Sequence, residues 1–177
     1  MKRSNLILFF KVVIFQVIFL ILHYSYEWFP NGATRIFSAT DESVYQHMKV
    51  VFFSYILLAL GEYVVRRSSI TALMPFTYAR LFSIVMLPLI MIPYFLTCPA
   101  FFVKIESIPL EILFANIVLI ATSLSTFIME QHLEQSEPDR GFKIVLITLF
   151  VFTLLEFVIF TYRLPWFDIF AVPPGWE

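Results

Sequence analysis

The sequence predicts an all-α membrane protein, a bundle of about five transmembrane helices in a single domain over residues 1–177. Hydrophobic residues make up 60% of the chain and charged residues only 14%, whereas soluble domains are nearer half and a quarter. Five apolar stretches approach or reach the roughly 20 residues that a helix needs to cross the hydrocarbon layer. No repeat, low-complexity segment or change of composition divides the chain.

The five predicted spans lie at residues 6–24, 50–65, 81–102, 108–129 and 144–162. The first contains Lys11, and its length and the lack of a small-residue cleavage site favour a retained helix over a signal peptide. The helix of the second is expected to begin earlier, near Asp41, with Thr40 as its N-cap. Pro93 predicts a kink in the middle of the third. Residues 68–78, mildly apolar and interrupted by a proline, are expected to form a loop with an interfacial turn.

The distribution of basic residues predicts the orientation, because cytoplasmic loops carry an excess of Lys and Arg. Seven lie on the side of the N-terminus: Lys2, Arg3, Arg66, Arg67, Arg80, Arg140 and Lys143. Four lie on the other side: Arg35, Lys49, Lys104 and Arg163. This bias predicts a multi-pass protein of the cell membrane with its N-terminus inside and its C-terminus outside. The aromatic, proline-rich tail from Arg163 onward is expected to lie against the outer surface.

The most unusual feature is the polar stretch at residues 23–49, which holds two of the three histidines between two apolar spans. Titratable groups beside hydrocarbon are costly and indicate a function. His23 and Glu27 are four residues apart and share a helix face. Imidazole and carboxylate groups both suit Zn²⁺ or another divalent metal. We therefore predict His23, Glu27, Glu42 and His47 as metal ligands, and the same groups could instead relay protons.

A structural explanation of this stretch stays open at the level of sequence. Residues 40–42 are typical of a helix N-terminus, where a cap and acidic side chains are favoured. Tyr24, Tyr26 and Trp28 are typical of the aromatic belt at a membrane interface.

Glu156 is the acid hardest to explain by structure alone, since it falls inside the fifth apolar stretch. It follows Lys143 by 13 positions, which places it in the outer half of the membrane at about 1.5 Å per residue. Glu111, at the start of the fourth helix, belongs to the same side. We predict that Glu156 and Glu42 act in catalysis, with Glu156 as a base or as a further metal ligand.

A second polar level is expected near the other membrane face. Lys11 and Glu62 would lie at similar depth in an antiparallel pair of helices, which predicts a structural ion pair, and Arg66 lies one turn beyond Glu62. Residues 130–134 carry three titratable side chains but are typical of an ordinary solvated loop.

Several classes of function are excluded or disfavoured by what the chain lacks. Its single cysteine, Cys98, excludes an internal disulfide and a cysteine-based metal cage. A net charge of −1 without a basic run gives no indication of nucleic-acid binding. No nucleophile elbow, His-Glu-x-x-His pair or phosphate-binding glycine loop is present. The expected surroundings are the lipid bilayer and either a second copy of the chain or a membrane partner subunit.

Three functions remain open. The first is a small membrane enzyme or metal-binding protein with an outward-facing His/Glu site. The second is a carrier or permease component whose path is marked by Glu156, Glu62 and Lys11. Five spans without an inverted repeat fit most transporters poorly, and dimerisation would supply the missing half. The third is a structural or accessory subunit in which the polar stretch is a rigid, capped hairpin.

The two ends of the chain resemble a known family. The motif His-Tyr-x-Tyr-Glu-Trp at 23–28 is followed by Asp-Glu-Ser-Val-Tyr-x-His-Met-Lys at 41–49. Together they resemble a family of small prokaryotic integral membrane proteins of unknown function, which read His-Phe-x-Tyr-Glu-Trp and Asn-Glu-Ser-Val-Trp-Glu-His-Leu-Lys at these places. Asp41 and Tyr45 depart from the family's Asn and Trp. The ending Pro-x-x-Asp-Ile-Phe-x-x-Pro at 165–173 is also similar. The resemblance implies about five spans and a similar length, and it implies no activity.

Overall fold

The computed structural model describes residues 2–101 and 107–172, and in that part of the chain every regular element is helical. The elements are α1 (Lys2–Trp28), α2 (Gly32–Phe37), α3 (Val44–Arg66), α4 (Leu73–Phe101), α5 (Ile108–Leu133), α6 (Arg140–Phe160) and a 3₁₀ helix at Asp168–Phe170. Five of them, α1 and α3 to α6, are long and apolar enough to cross a membrane. The predicted all-α bundle with five spans is therefore confirmed, while its orientation in the membrane stays a prediction.

Four of the long helices form a closed ring. Each of α1, α3, α4 and α5 packs against the next, α5 returns to α1, and α6 packs on the outside against α4. Aromatic side chains fill the middle of the ring, where Phe15 lies with its ring centroid 6.2 Å from that of Tyr55 and 5.8 Å from that of Phe127. Burial of these large rings supplies much of the apolar packing that holds α1, α3 and α5 together.

The peripheral helix α6 is apolar nearly all round and buries only Leu146 and Phe157. Phe157 lies against Phe52 of α3, with ring centroids 5.1 Å apart. A helix that is hydrophobic on every face requires an apolar environment, so most of the surface of α6 is suited to face lipid.

The start of α3 differs from the prediction. The helix begins at Val44 and not near Asp41, and its N-cap is Ser43, whose side chain accepts from the Gln46 amide. Asp41 Oδ1 accepts from the Ser43 amide at 2.9 Å. Thr40, the predicted cap, instead accepts from the side-chain amide of Gln46 at 2.8 Å. The physical reason is the local turn that Asp41 makes with the backbone two residues on, which bends the chain at residues 40–42 and delays the helix until after Ser43.

The connection before α3 contains a helix, and the one after α3 is shorter than predicted. The turn after α1 contains the short helix α2, which is started by Asn31 through a reciprocal capping box with Thr34. The segment 68–78 is a loop only in its first half, since α4 begins at Leu73. Pro75 does not prevent this, because amides in the first turn of a helix have no intrahelical partner to lose. The helical backbone continues across Pro93, where the kink stays a prediction.

The described part of the tail folds back onto the bundle. Phe170 packs against Tyr45 of α3 and Phe160 of α6, with ring centroids 4.7 Å and 5.5 Å away. The tail therefore lies at the end of the bundle that carries His23. Lys104 and the part of the predicted tail at residues 173–177 lie outside the described residues.

Candidate functional site

Two spanning helices and the connection between them bring His23, Glu42 and His47 together. His23 lies near the end of α1, and His47 lies in the first turn of α3. Between them the chain makes α2 and the Asp41 turn, and a hydrogen bond between the hydroxyls of Ser25 and Ser38 joins the end of α1 to the end of α2. The connection is thereby held against the bundle, and Glu42 turns toward the two imidazoles.

The three side chains form a nearly equilateral set of ligand atoms, which we call the histidine cluster. The Nε2 atoms of His23 and His47 are 3.3 Å apart. Glu42 Oε2 lies 3.6 Å from Nε2 of His23 and 3.4 Å from Nε2 of His47. In the described part of the chain, this is the only group of three such side chains close enough to hold a metal ion.

Hydrogen bonding and packing determine the tautomer of His47 and the orientation of both imidazole rings. Nδ1 of His47 lies 2.9 Å from the Ser43 carbonyl oxygen. A hydrogen bond to a carbonyl requires the proton on Nδ1, which leaves the Nε2 lone pair facing the cluster. His23 is buried, and its Nδ1 has no hydrogen-bond partner among the described residues. The Phe19 ring packs edge-on against His23 and is stacked near His47.

Glu42 is the group whose charge is disfavoured here. Its pKa is raised above the usual carboxyl value, chiefly because of burial, with Glu27 and Asp41 adding repulsion while His47 opposes the shift. A half-buried carboxylate beside two imidazoles is stabilised by any cation that enters the cluster.

Two openings meet at the histidine cluster. The apolar crevice, with a volume of about 140 Å³, lies between α1, α4 and α5. Its apolar walls are formed mainly by Phe19, Leu20, Met91, Ile112, Val118 and Leu119. The polar pocket, about 390 Å³, lies on the other side of His23 and Glu42. Its polar lining comes from His23, Tyr26, Glu27, Thr40, Asp41 and Glu42. The cluster therefore stands between an apolar and a hydrophilic compartment.

The remaining predicted site residues fall in three places. Glu27 is exposed and lines the polar pocket, outside the group of three ligand atoms. Glu111 lines the apolar crevice. Glu156 is exposed on α6 and lines neither opening. Of the four predicted metal ligands, the structure thus brings three together.

The opposite end of the bundle carries a second polar assembly, which we call the ion-pair network. It consists of Lys11, Glu62, Arg66, Arg80, Glu130 and Glu134. Lys11 Nζ donates to Glu62 at 2.9 Å, which confirms the predicted pair, and it also contacts Glu130. Arg66 pairs with Glu62 one turn away, as predicted, and with Glu134 at 2.9 Å. Three cations thus face three carboxylates.

Glu130 is the centre of this network, and the sequence reasoning missed it. The prediction that residues 130–134 form a solvated loop is wrong, because Glu130 is 1% exposed. It accepts from the hydroxyls of Tyr55 and Ser83, and Arg80 Nε lies 3.5 Å away. A signal was present in the sequence: Ser123, Thr126 and Glu130 recur at helical spacing on one buried face of α5.

Two of the basic residues used to predict the orientation, one from each side of the membrane, are buried. Arg80, 4% exposed, pairs with Glu62 and Glu134. Lys49 is fully buried and donates to the Arg35 carbonyl at 3.0 Å, joining α3 to α2. These residues have structural partners, so they give less support to a particular orientation than exposed loop residues do.

The cluster and the network are far apart along the bundle. His23 and Lys11 are 12 residues apart on α1, which corresponds to about 18 Å at 1.5 Å per residue. The aromatic middle of the ring lies between them.

Comparison of the chain with protein-family models, with curated proteins and with solved structures finds no match.

Proposed function

We propose that this polytopic membrane protein binds one divalent transition-metal ion, most simply Zn²⁺, through His23, His47 and Glu42, and uses it as a small membrane enzyme. The observation that carries the proposal is the spacing of the three ligand atoms, 3.3, 3.4 and 3.6 Å. Bonds of about 2.0–2.1 Å to a tetrahedral zinc ion require ligand atoms about 3.3–3.4 Å apart. The ligand triangle therefore needs almost no adjustment to accept the ion.

The kind of donor selects the kind of metal. Two imidazole nitrogens favour zinc, copper, nickel or iron, whereas Mg²⁺ and Ca²⁺ prefer oxygen ligands throughout. The hydrogen bond from His47 Nδ1 to the Ser43 carbonyl supplies the outer support that metal-bound histidines usually have. A bound cation would also offset the free-energy cost of burying the charged Glu42 carboxylate.

The number of ligands supports an enzymatic role over a structural one. Structural zinc sites have four protein ligands, while catalytic sites with two histidines and one glutamate keep a position open for water or substrate. The described residues supply three ligands; the apolar crevice reaches all three, and the polar pocket reaches His23 and Glu42. A water held in the fourth position would have its pKa lowered toward neutrality by the metal, which provides a nucleophile.

We also propose that the chain belongs to the family of small prokaryotic membrane proteins that it resembles. Its proposed location is the cell membrane, with the N-terminus inside. The residues that carry the resemblance include all three members of the cluster, His23, Glu42 and His47. We therefore propose that the motif is the sequence signature of the metal site.

The test is elemental analysis of protein purified in detergent through a tag that contains no histidine. We expect one zinc ion per chain in the wild type and next to none in His23→Ala/His47→Ala. His132→Ala is the matched control, because this third histidine lies in the last turn of α5, and it should keep its metal. A folded wild type that takes up neither zinc nor another transition metal on dialysis would overturn the proposal.

A further inference from the structure

The apolar crevice reaches into the bundle directly beside the histidine cluster, and its walls belong to spanning helices. Phe19 and Leu20 come from α1, Met91 from α4, and Ile112 and Leu119 from α5. Leu20 and Ile112 are also 43% and 45% exposed on the surface of the bundle. The crevice is therefore open sideways, toward the region that the bilayer occupies, and a molecule could enter it without crossing water.

One end of the crevice is polar and the other is not. His23, Glu42 and His47 line the end at the cluster, whereas the remaining walls are mainly aliphatic and aromatic, with Glu111 and Asn116 as the charged and amide side chains among them. A ligand that satisfies both ends has a hydrocarbon part and a polar group close to it. The volume of about 140 Å³ is close to that of an engineered apolar cavity that holds benzene, so it accommodates a short stretch of a single chain and not a whole lipid.

The charges beside the cluster favour one kind of polar group. Three carboxylates surround the cluster in the crevice and the polar pocket, namely Glu27, Asp41 and Glu42, and no described lysine or arginine lines either opening. The buried cation nearest in sequence, Lys49, is directed to the Arg35 carbonyl and the Thr161 hydroxyl. A divalent ion at the cluster would bring two positive charges against the three carboxylates of Glu27, Asp41 and Glu42, so an anionic phosphate head group is disfavoured here relative to an uncharged ester or alcohol.

We infer that the apolar crevice binds the hydrocarbon chain of a neutral membrane lipid, with the lipid's uncharged polar group at the histidine cluster. This inference deepens the proposed function and rests on it for the role of the cluster, since it names the class of substrate that the metal would act on. The lipid enters sideways from the bilayer, and the polar pocket gives water access to its head group.

The test is photo-crosslinking in nanodiscs with two probes, a diacylglycerol and a phosphatidylglycerol, each carrying a diazirine in one acyl chain. We expect the diacylglycerol probe to label the peptides around Phe19 and Ala115, and unlabelled diacylglycerol to compete where phosphatidylglycerol does not. Ala115→Trp places an indole in the crevice. Each methylene that it displaces weakens binding about fourfold, so displacement of two reduces labelling about 15-fold.

The matched control is Ile117→Trp, which puts the same side chain on the exposed face of α5 and should label like the wild type. Equal labelling by both probes, or equal loss in the two tryptophan variants, would overturn the inference. The competition on the wild type needs no variant, so misfolding of Ala115→Trp cannot decide the result. Zinc measured in the same samples separates the two proposals. Zinc without selective labelling leaves only the metal site, and selective labelling without zinc leaves only the lipid site.

Discussion

Removal of the Lys11 charge tests the ion-pair network most directly. Lys11→Met keeps most of the side-chain volume but leaves two cations facing three carboxylates in a region that includes the fully buried Glu130. Breaking a buried ion pair by removing one partner costs about 3–5 kcal/mol. We expect about 3 kcal/mol, the lower end of that range, because Arg80 Nε stays 3.5 Å from Glu130. This corresponds to about a 150-fold change in the unfolding equilibrium.

The assay is reversible unfolding in mixed micelles, followed by tryptophan fluorescence and circular dichroism. The double variant Lys11→Met/Glu130→Gln restores the balance of charge, and the amide oxygen can still accept from Tyr55 and Ser83. We expect it to recover about 2 kcal/mol, the coupling typical of two groups in one network. Arg67→Met is the control, since this exposed arginine should change stability by less than about 0.5 kcal/mol. A Lys11→Met protein as stable as the control, or a double variant no better than the single one, would refute the reasoning.

Three further predictions follow from the same geometry. Ser43→Ala removes the N-cap of α3 and should lower the free energy of unfolding by about 1 kcal/mol, with Ser43→Asn close to wild type in the same assay. Folding raises the Glu42 pKa, so in metal-free protein the ionised carboxylate opposes folding, and its contribution to stability improves as the pH falls toward that pKa. Metal-free Glu42→Gln should therefore be more stable than wild type at about pH 7, with the difference vanishing below about pH 4, and it should bind zinc more weakly; no stability difference at neutral pH would contradict this. In a Cys98→Ser background, an impermeant maleimide added to whole cells should label a cysteine at Asn31 and not one at Glu137, and the reverse pattern would invert the predicted orientation.

Much of the fold follows from the sequence because it depends on local properties. Length and apolar composition define a membrane span without reference to its neighbours, so the number of spans was predictable. The residues at which the helices begin and end were less predictable. Thr40 and Ser43 both satisfy the preference for a cap, and the hydrogen bond from the Ser43 amide to Asp41 decides between them.

The histidine cluster was predictable in part, since His23 and His47 lie in the helices that flank one connection and Glu42 lies within it, so the chain has little length in which to separate them. Glu27 shares a helix face with His23 yet lies outside the group of three, because the connection brings Glu42 to the imidazoles and leaves Glu27 in the polar pocket. The apolar crevice could not be predicted at all. It is lined by side chains of α1, α3, α4 and α5, and the sequence of a single helix does not determine which helices it packs beside.

What the sequence determined by itself is the class of molecule, an all-α chain of five apolar helices with a polar connection after the first. The sequence predicted the Lys11–Glu62 pair, but only the tertiary structure decided that Glu130 lies at the centre of the network. The residues that follow Glu130 have the composition of a loop, and its partner Lys11 is 119 positions away in the sequence. Hydrophobicity drives each helix into an apolar environment independently, whereas the pairing of buried charges depends on the register and rotation of helices packed against one another, which local sequence does not fix.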